Sequence, residues 1–297
     1  MKRHREDDII KVENLRGVFE LSQGYNTPAE VLDILTNNSI KKVRYPLMKV
    51  MLLGIMAGLM ISFGADAAMI AGHSIENMSV ARLLSGAIFP IGLIAIVLTG
   101  SELFTGSCLN VLGIPTGEIQ FADVCRNLFW VLLANGIGAV VLAVTVYAMG
   151  QLDLSGAQMG AYAIKTAVGK IHLGFMPALL SGIWCNFLVC LGVFLGVAAK
   201  DVVGKILGIF FPIWVFVSCG FEHSVANMFY LPLGYLAKHN PEYVAVAHDV
   251  FGITLEQIHS LNFTGMLLGN LVPVIIGNVI GGSLVLAGFY YLALKKY

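Results

Sequence analysis

Charged residues are scarce in this chain. Asp, Glu, Lys and Arg make up only 12% of its 297 residues, whereas 57% of the residues are hydrophobic. A soluble domain usually carries about twice that share of charge. The mean hydropathy of +0.81 agrees with this deficit. A protein of this composition is suited to lipid rather than to water, and its net charge of zero gives no reason to expect a nucleic-acid partner.

Motifs of several other protein classes are absent as well. No H-E-x-x-H or G-x-S-x-G sequence occurs, so the common signatures of zinc proteases and serine hydrolases are missing. None of the five cysteines forms a C-x-x-C pair, and we expect small core residues rather than disulfides or metal ligands. No cofactor is indicated. The N-terminal region is polar, and we expect no cleavable signal peptide in it.

Long apolar runs dominate the rest of the sequence. A bilayer core about 30 Å thick needs roughly 20 apolar residues to be crossed by a helix. Six runs meet this requirement: 46–72, 81–112, 124–150, 175–199, 206–236 and 264–294. The sequence therefore predicts an all-α integral membrane protein, with an N-terminal segment at 1–45 and a six-span domain at 46–297.

The N-terminal segment contains one predicted helix. The first 26 residues are rich in charge, and we expect them to be disordered. Thr27, Pro28 and Glu30 then form the pattern of a helix start, with Thr27 as N-cap and Glu30 reaching back to it. The pattern predicts a short amphipathic helix that lies against the first span. An interfacial anchor and a gate both fit such a helix.

Lysine and arginine are distributed unevenly between the loops. Cytoplasmic loops carry the excess of these residues, so their count predicts orientation. One side holds those at positions 41, 42, 44, 49, 126, 200, 205, 295 and 296, and the other holds Arg82, Lys165, Lys170 and Lys238. Both termini are therefore expected on the cytoplasmic side of the cell membrane.

The two halves of the chain resemble each other. The pattern Asn-Leu, six residues, Asn-x-Ile-Gly occurs at 127–138 and again at 270–281. Phe-Pro at 89–90 and at 211–212 opens an apolar run that ends at a glycine and a nearby glutamate. Each repeat, about 46–150 and 171–297, has three spans. Because three is odd, the second repeat must be inverted relative to the first, as in many transporters and channels.

Spans two and five contain polar breaks. The segments 99–107 and 218–224 combine glycine, hydroxyl and carboxylate side chains in the middle of apolar runs. Each predicts a half-helix, a loop and a second half-helix whose N-terminus suits an anion. Ionisable groups inside a membrane are costly, so Glu102, Glu222 and His223 are functional candidates. Either glutamate could instead hold loop N–H groups, whereas His223 is suited to proton transfer.

These features resemble the formate/nitrite transporter family. The resemblance lies in five ordered blocks, at 86–90, 100–106, 185–191, 220–229 and 273–282. It implies an aquaporin-like protomer, a homopentamer and one pore in each subunit. Many family members have asparagine after the Thr-Gly of the first break, where this chain has Ser107.

The resemblance also implies roles for individual side chains. His223 would lie at the pore centre opposite the loop that carries Thr105, with Asn186 buried nearby and Lys170 at the outer vestibule. Without the resemblance, Lys170 would be a solvated loop charge. The expected apolar constrictions are Phe89, Leu93, Leu103 and Phe104 on one side of the centre and Phe216 on the other.

The substrate class follows from these expectations. A bare anion is very costly in an apolar constriction, but a weak acid can cross as its neutral form after protonation at His223. We expect formate as the substrate, with nitrite or hydrosulfide as alternatives. Passage of a hydrated anion gated by His223 is the rival mechanism. A water or glycerol channel would share the fold but would carry paired Asn-Pro-Ala turns, which are absent. An intramembrane hydrolase is disfavoured because Glu222 and His223 are adjacent and point in different directions on a helix.

Overall fold

Helices account for almost all of the structure. The computed structural model describes residues 24–296, and within that range the β-structure is limited to an isolated bridge between Tyr25 and Ala199. In chain order the helices are α1 (Pro28–Val43), α2 (Leu47–Gly72), α3 (Met78–Ile88), α4 (Ile91–Thr99), α5 (Phe104–Ser107), α6 (Phe121–Ala148), α7 (Gln158–Ile171), α8 (Phe175–Ala198), α9 (Val202–Cys219), α10 (Ser224–Ala237), α11 (Pro241–Phe251), α12 (Leu255–Ser260) and α13 (Phe263–Lys295). Two 3₁₀ segments, Cys108–Thr116 and Gln151–Asp153, follow α5 and α6.

Six helices in the described part of the chain are long and apolar enough to cross a membrane. They are α2, α3 with α4, α6, α8, α9 and α13. This confirms the six predicted spans. The last of them is irregular, because the stretches Leu267–Leu271 and Ile280–Gly288 have the wider hydrogen-bonding pattern of a π-helix.

The two repeats are built alike. In the first, α2 packs closely against α6, where a Cβ atom on Gly138 would lie 2.2 Å from the carbonyl oxygen of Ile55. In the second, α8 packs against α13, where a Cβ atom on Gly281 would lie 2.1 Å from the carbonyl oxygen of Ile183. Glycine at both positions lets the helix backbones approach, as is common between membrane helices.

The helix start at Thr27 is confirmed. The Thr27 hydroxyl accepts from the backbone N–H of Glu30, and the Glu30 carboxylate accepts from the backbone N–H of Thr27 at 2.6 Å. The Thr27 hydroxyl also donates to the Glu30 carboxylate at 2.8 Å, and the two hydrogen bonds that this carboxylate accepts lower the pKa of Glu30 from its ordinary value because they stabilise the charged form. The predicted disorder of the first 26 residues lies almost entirely outside the described residues.

The predicted position of α1 against the first span is wrong. Its buried residues Val31, Leu32 and Leu35 pack against the Cys108–Thr116 segment, α8 and the end of α13. These elements offer an apolar surface that α1 covers. Lys295 at the end of α13 also pairs with Asp33 of α1, with 2.6 Å between Nζ and Oδ1. The helix therefore joins the two repeats.

Cysteine placement follows the expectation only in part. Cys108, Cys185 and Cys190 are buried, as expected of small core residues. Cys125 and Cys219 are exposed on the protomer surface, and all five thiols are free.

Candidate functional site

Both predicted helix breaks are present. The chain leaves helical geometry between α4 and α5, and again between α9 and α10. Each break begins at a glycine in the left-handed region, with φ of 74° at Gly100 and 73° at Gly220. Only glycine adopts that conformation without strain, so these two residues determine where the helices stop.

A buried asparagine from α6 holds the first break. The side-chain oxygen of Asn135 accepts from the backbone N–H of Phe104 at 2.8 Å. Its Nδ2 group donates to the carbonyl oxygen of Glu102 at 2.9 Å and to that of Gly54 at 2.8 Å. Asn135 therefore supplies the hydrogen bonds that the interrupted helix has lost.

An asparagine from α13 holds the second break in the same way. Asn278 accepts from the backbone N–H of Ser224 at 2.9 Å. It donates to the carbonyl oxygens of Glu222 at 3.0 Å and Gly182 at 2.8 Å. Sequence analysis did not assign a role to this pair, although the repeated Asn-x-Ile-Gly pattern contains both residues.

The breaks bring His223 and Thr105 together. His223 is the N-cap of α10, and its Nδ1 accepts from the backbone N–H of Ala226 at 3.2 Å. Its Nε2 lies 3.1 Å from the Thr105 hydroxyl oxygen. In a neutral imidazole, a proton-accepting Nδ1 requires the proton on Nε2, so Nε2–H donates to Thr105. Both side chains are buried, at 2% and 0% exposure.

Asn186 lies beside this pair and fixes the backbone of Thr105. Its Nδ2 group donates to the carbonyl oxygen of Thr105 at 3.2 Å and to that of Asn278 at 2.6 Å. The Cys190 thiol also lies 3.4 Å from the Thr105 carbonyl oxygen. Because both amide hydrogens are used in these bonds, Asn186 acts on the turn that carries Thr105.

Lys170 and Glu222 form a largely buried ion pair next to His223. Lys170 Nζ lies 2.8 Å from Glu222 Oε1, and their side chains are 15% and 6% exposed. Glu222 Oε2 accepts from Asn227 at 2.6 Å and from Asn270 at 3.0 Å. The Lys170 ammonium also lies 5.1 Å from the centre of the Tyr230 ring. Lys170 is therefore not the solvated loop charge that the sequence alone would allow.

A second ion pair occupies the equivalent place in the first repeat. Lys42 Nζ lies 3.1 Å from Glu102 Oε1, with side-chain exposures of 33% and 1%. Lys42 was not among the predicted site residues. A signal was present, because Lys42 and Lys170 each lie in the last turn of a short amphipathic helix, five residues before the next span.

A cavity of about 400 Å³ reaches His223 from the Lys170 side. Besides these two residues its walls include Arg82, Lys165 and Glu222. Burial lowers the pKa of Lys165 from its ordinary value, and its ammonium lies 4.4 Å from the centre of the Phe251 ring. Three cationic side chains and two glutamates, Glu76 and Glu222, line the cavity, so cations are in excess by one and the cavity is suited to attract an anion.

Apolar side chains close the pathway beyond the cavity. Phe89 and Phe216 meet edge to face at its floor, with ring centres 5.5 Å apart. They therefore form one contact rather than lying on opposite sides of the centre. Leu93 and Leu103 line the space behind them, which leaves no room for a water molecule. Phe104 is buried in the same core but does not line that space.

Known proteins are similar to this chain in sequence. Residues 29–292 match the family described as formate/nitrite transporter. The chain belongs to the formate/nitrite transporter family. It is 36% identical to the uncharacterized transporter YrhG of Bacillus subtilis (strain 168) over 92% of this chain and 95% of that protein. It is 34% identical to a probable formate transporter of Methanothermobacter thermautotrophicus over 93% of this chain and 100% of that protein.

A solved structure supports the same assignment. A pentameric formate channel with formate bound superposes with a TM-score of 0.73 at 32% identity, over 83% of this chain and 97% of that one. The aquaporin-like fold expected for the family is therefore confirmed. The protein is a multi-pass membrane transport protein, and members of its family are channels and transporters rather than enzymes.

Proposed function

We propose that this formate/nitrite transporter family member is a homopentameric channel that carries formate across the cytoplasmic membrane, with one pathway in each subunit. Its relatives include proteins described as formate channels, and one similar structure is pentameric with formate bound. Both termini would be cytoplasmic, in line with the excess of lysine and arginine on that side. The hydrogen bond between Thr105 and His223, whose imidazole lines the cavity, is the observation that supports the mechanism most strongly.

The closed apolar space sets the chemical problem. Arg82, Lys165 and Lys170 can draw an anion into the cavity, but they cannot carry its charge between Leu93 and Leu103. Moving a bare carboxylate into such surroundings costs several kcal/mol or more. Protonation removes that cost because formic acid is neutral. The neutral molecule then needs only a transient opening of the apolar side chains.

His223 and Thr105 are placed to assist that protonation. A formate oxygen at the cavity floor can replace the Thr105 hydroxyl as the acceptor from His223 Nε2–H, because His223 lines the cavity. Protons would reach His223 through the cavity that opens on the Lys170 side. Asn186 keeps Thr105 in position, and the Lys170–Glu222 pair sets the charge beside the imidazole. Glu102 has the corresponding position in the first repeat.

The rival mechanism is passage of a hydrated anion gated by His223. It is disfavoured by the absence of space for water between the side chains that line the closed region, among them Ile61, Leu93 and Val189. Nitrite and hydrosulfide are also conjugate bases of weak acids, so they would satisfy the same mechanism. The described residues that line the cavity do not distinguish these three substrates by chemistry.

Flux measurements in liposomes test the proposal. Purified protein would be reconstituted with an internal pH dye, and formate, nitrite and hydrosulfide would be added at equal concentrations. We expect rapid formate entry with internal acidification in the wild type and a loss of at least about tenfold in His223→Asn. His239→Asn is the matched control, because His239 is exposed and bonds only within its own helix end. Unaltered flux in His223→Asn would overturn the mechanism, and faster nitrite or hydrosulfide entry would replace formate as the substrate.

A further inference from the structure

The two repeats treat equivalent glutamates differently. Glu222 Oε1 bonds with Lys170, and Oε2 accepts from both Asn227 and Asn270. Glu102 is buried just as deeply, at 1% exposure, and it also has a lysine within ion-pair distance. Yet neither of its carboxylate oxygens accepts a hydrogen bond from any residue that the structure describes. Such unpaired carboxylate oxygens are rare in protein interiors.

Ser107 is the cause of this difference. It lies five residues after Glu102, as Asn227 lies five residues after Glu222. Its shorter side chain does not bond with Glu102, and its own hydroxyl is buried with no hydrogen-bond partner in the described part of the chain. The asparagine equivalent to Asn270 is Asn127, and it accepts from Asn110 at 3.0 Å instead. Three buried oxygens on two side chains thus accept no hydrogen bond in the described part of the chain, and the Lys42 ammonium, 3.1 Å from Glu102 Oε1, is the charge that faces them.

Position then gives this carboxylate a function. Because the repeats are inverted, Glu102 and Lys42 lie toward the membrane face opposite to Glu222 and Lys170. Glu102 directly precedes Leu103, which lines the closed apolar space, and Glu102 does not line the cavity. Glu102 is therefore one residue away from the wall of the closed apolar space and is separate from the cavity. Lys42 is one-third exposed, so solvent reaches that end of the pathway.

We propose that Glu102 is the proton acceptor at the exit of the apolar space. This inference rests on the proposed function, in which formate crosses that space as formic acid. The O–H bond of formic acid breaks, its proton moves to a Glu102 carboxylate oxygen, and formate leaves with its charge restored. Glu102 then releases the proton to water, and transport in the opposite direction reverses these steps.

Energetics favour such an exchange at Glu102 over Glu222. Acid and acceptor are both carboxylic acids, so one O–H bond is exchanged for another of the same kind. Glu222 would lose three charge-assisted hydrogen bonds on protonation, whereas Glu102 would lose only its ion pair with the more exposed Lys42. Lys42 of α1 is the charged side chain that the described residues place against Glu102, and Asn135 of α6 bonds only with its backbone. Lys42 would hold the released formate near the exit.

Variants at Ser107 and Glu102 test the inference. Ser107→Asn copies Asn227 and gives Glu102 a donor, which should slow proton-coupled formate flux about tenfold, as expected for one added hydrogen bond to a charged group. Ser107→Ala is the matched control, since it adds no donor, and it should keep wild-type flux. Glu102→Gln should slow flux at least as much as Ser107→Asn. Infrared difference spectra of the whole protein should show a protonated-carboxyl band on acidification that is missing in Glu102→Gln and appears at lower pH in Ser107→Asn.

The outcomes separate this inference from the proposed function. Proton-coupled wild-type uptake, together with unaltered flux in Ser107→Asn and Glu102→Gln, would overturn the role of Glu102 and leave the proposed function standing. An infrared band that persists in Glu102→Gln would also overturn it. Wild-type uptake without proton movement would overturn the proposed function, and this inference with it. If Glu102→Gln does not fold, the flux and the infrared titration of Ser107→Asn still decide whether Glu102 accepts the proton.

Discussion

The two helix breaks share a backbone arrangement but differ in the side chains that follow each glutamate. Asn135 and Asn278 make matching hydrogen bonds, and Gly100 and Gly220 begin the breaks with nearly the same φ angle. The residue after the glutamate is Leu103 in the first repeat. At the same place in the second repeat, histidine faces the neighbouring threonine. The fold thus requires an asparagine clamp, Asn135 or Asn278, at each break. The proposed chemistry comes from the residue after the glutamate, which differs between the repeats.

The surroundings of the two helix breaks also differ. The second break borders a cationic cavity that reaches its histidine, while the first break lies behind an apolar space without room for water. In the proposed mechanism the second repeat supplies the group that exchanges protons, and side chains of both repeats form the apolar barrier. An inverted repeat gives both functions a common scaffold at the centre of the membrane.

Removing either asparagine clamp tests whether the two breaks depend equally on their clamps. Of the changes considered, this one should lower stability the most. Asn135→Ala and Asn278→Ala each lose three buried hydrogen bonds and leave backbone groups unpaired. We expect each to lower the free energy of unfolding by about 3–5 kcal/mol. SDS titration in mixed micelles would measure the loss. If one variant lost several times as much free energy of unfolding as the other, the two clamps would not be equivalent.

Leu103 and His223 occupy equivalent positions after the two glutamates. His223→Leu tests this difference, because it places leucine at both positions. It removes the imidazole from Thr105 and the N-cap of α10. We expect proton-coupled formate flux to fall about a hundredfold, the lower range of general acid–base contributions. Stopped-flow uptake in liposomes would measure this, with His239→Leu as the control. Retention of more than half of the flux would contradict the assigned role.

Replacing Glu222 or Glu102 with glutamine compares how much each lysine–glutamate ion pair contributes to stability. Glu222→Gln leaves Lys170 buried without its partner, so we expect a loss of about 2–3 kcal/mol in the free energy of unfolding. In Glu102→Gln, the more exposed Lys42 can turn to water, so we expect a loss below about 1 kcal/mol. The same SDS titration would compare the two variants. A larger loss of free energy of unfolding in Glu102→Gln would mean that Lys42–Glu102, rather than Lys170–Glu222, is the pair that stabilises the fold.

Alanine at the two break glycines should have a small effect on stability, similar at both positions. Gly100→Ala and Gly220→Ala each force a side chain into left-handed backbone, at a cost of about 1 kcal/mol. A Cβ atom at Gly100 would meet nothing within 4 Å, and at Gly220 it would meet Arg82 at 3.7 Å. Strain alone should therefore set the cost, and the two variants should unfold at similar SDS fractions. A much larger loss at Gly220 would indicate an additional contact.

Much of the fold could be predicted from local patterns. Hydropathy identifies the six spans because each must match the thickness of the bilayer. Gly100 and Gly220 mark the breaks because only glycine tolerates the backbone that ends each half-helix. The start of α1 follows from the capping pattern at Thr27 and Glu30, which involves residues close in sequence.

Long-range partners could not be predicted in the same way. The position of α1 depends on apolar surface contributed by α8 and α13, more than a hundred residues later in the chain. The pairing of Lys42 with Glu102 and the contact of Phe89 with Phe216 likewise arise only once both repeats have packed. Charge and burial at the site depend on these contacts.

The response of formate flux to membrane potential tests the central claim most directly. Liposomes containing the wild-type protein would be held at different potentials with potassium and valinomycin, and formate and proton uptake would be recorded together. If formate crosses as the neutral acid, its flux should be independent of potential and should bring one proton with each formate. Flux that rises with an inside-positive potential, without matching proton uptake, would show that the anion itself crosses and would contradict the role given to His223.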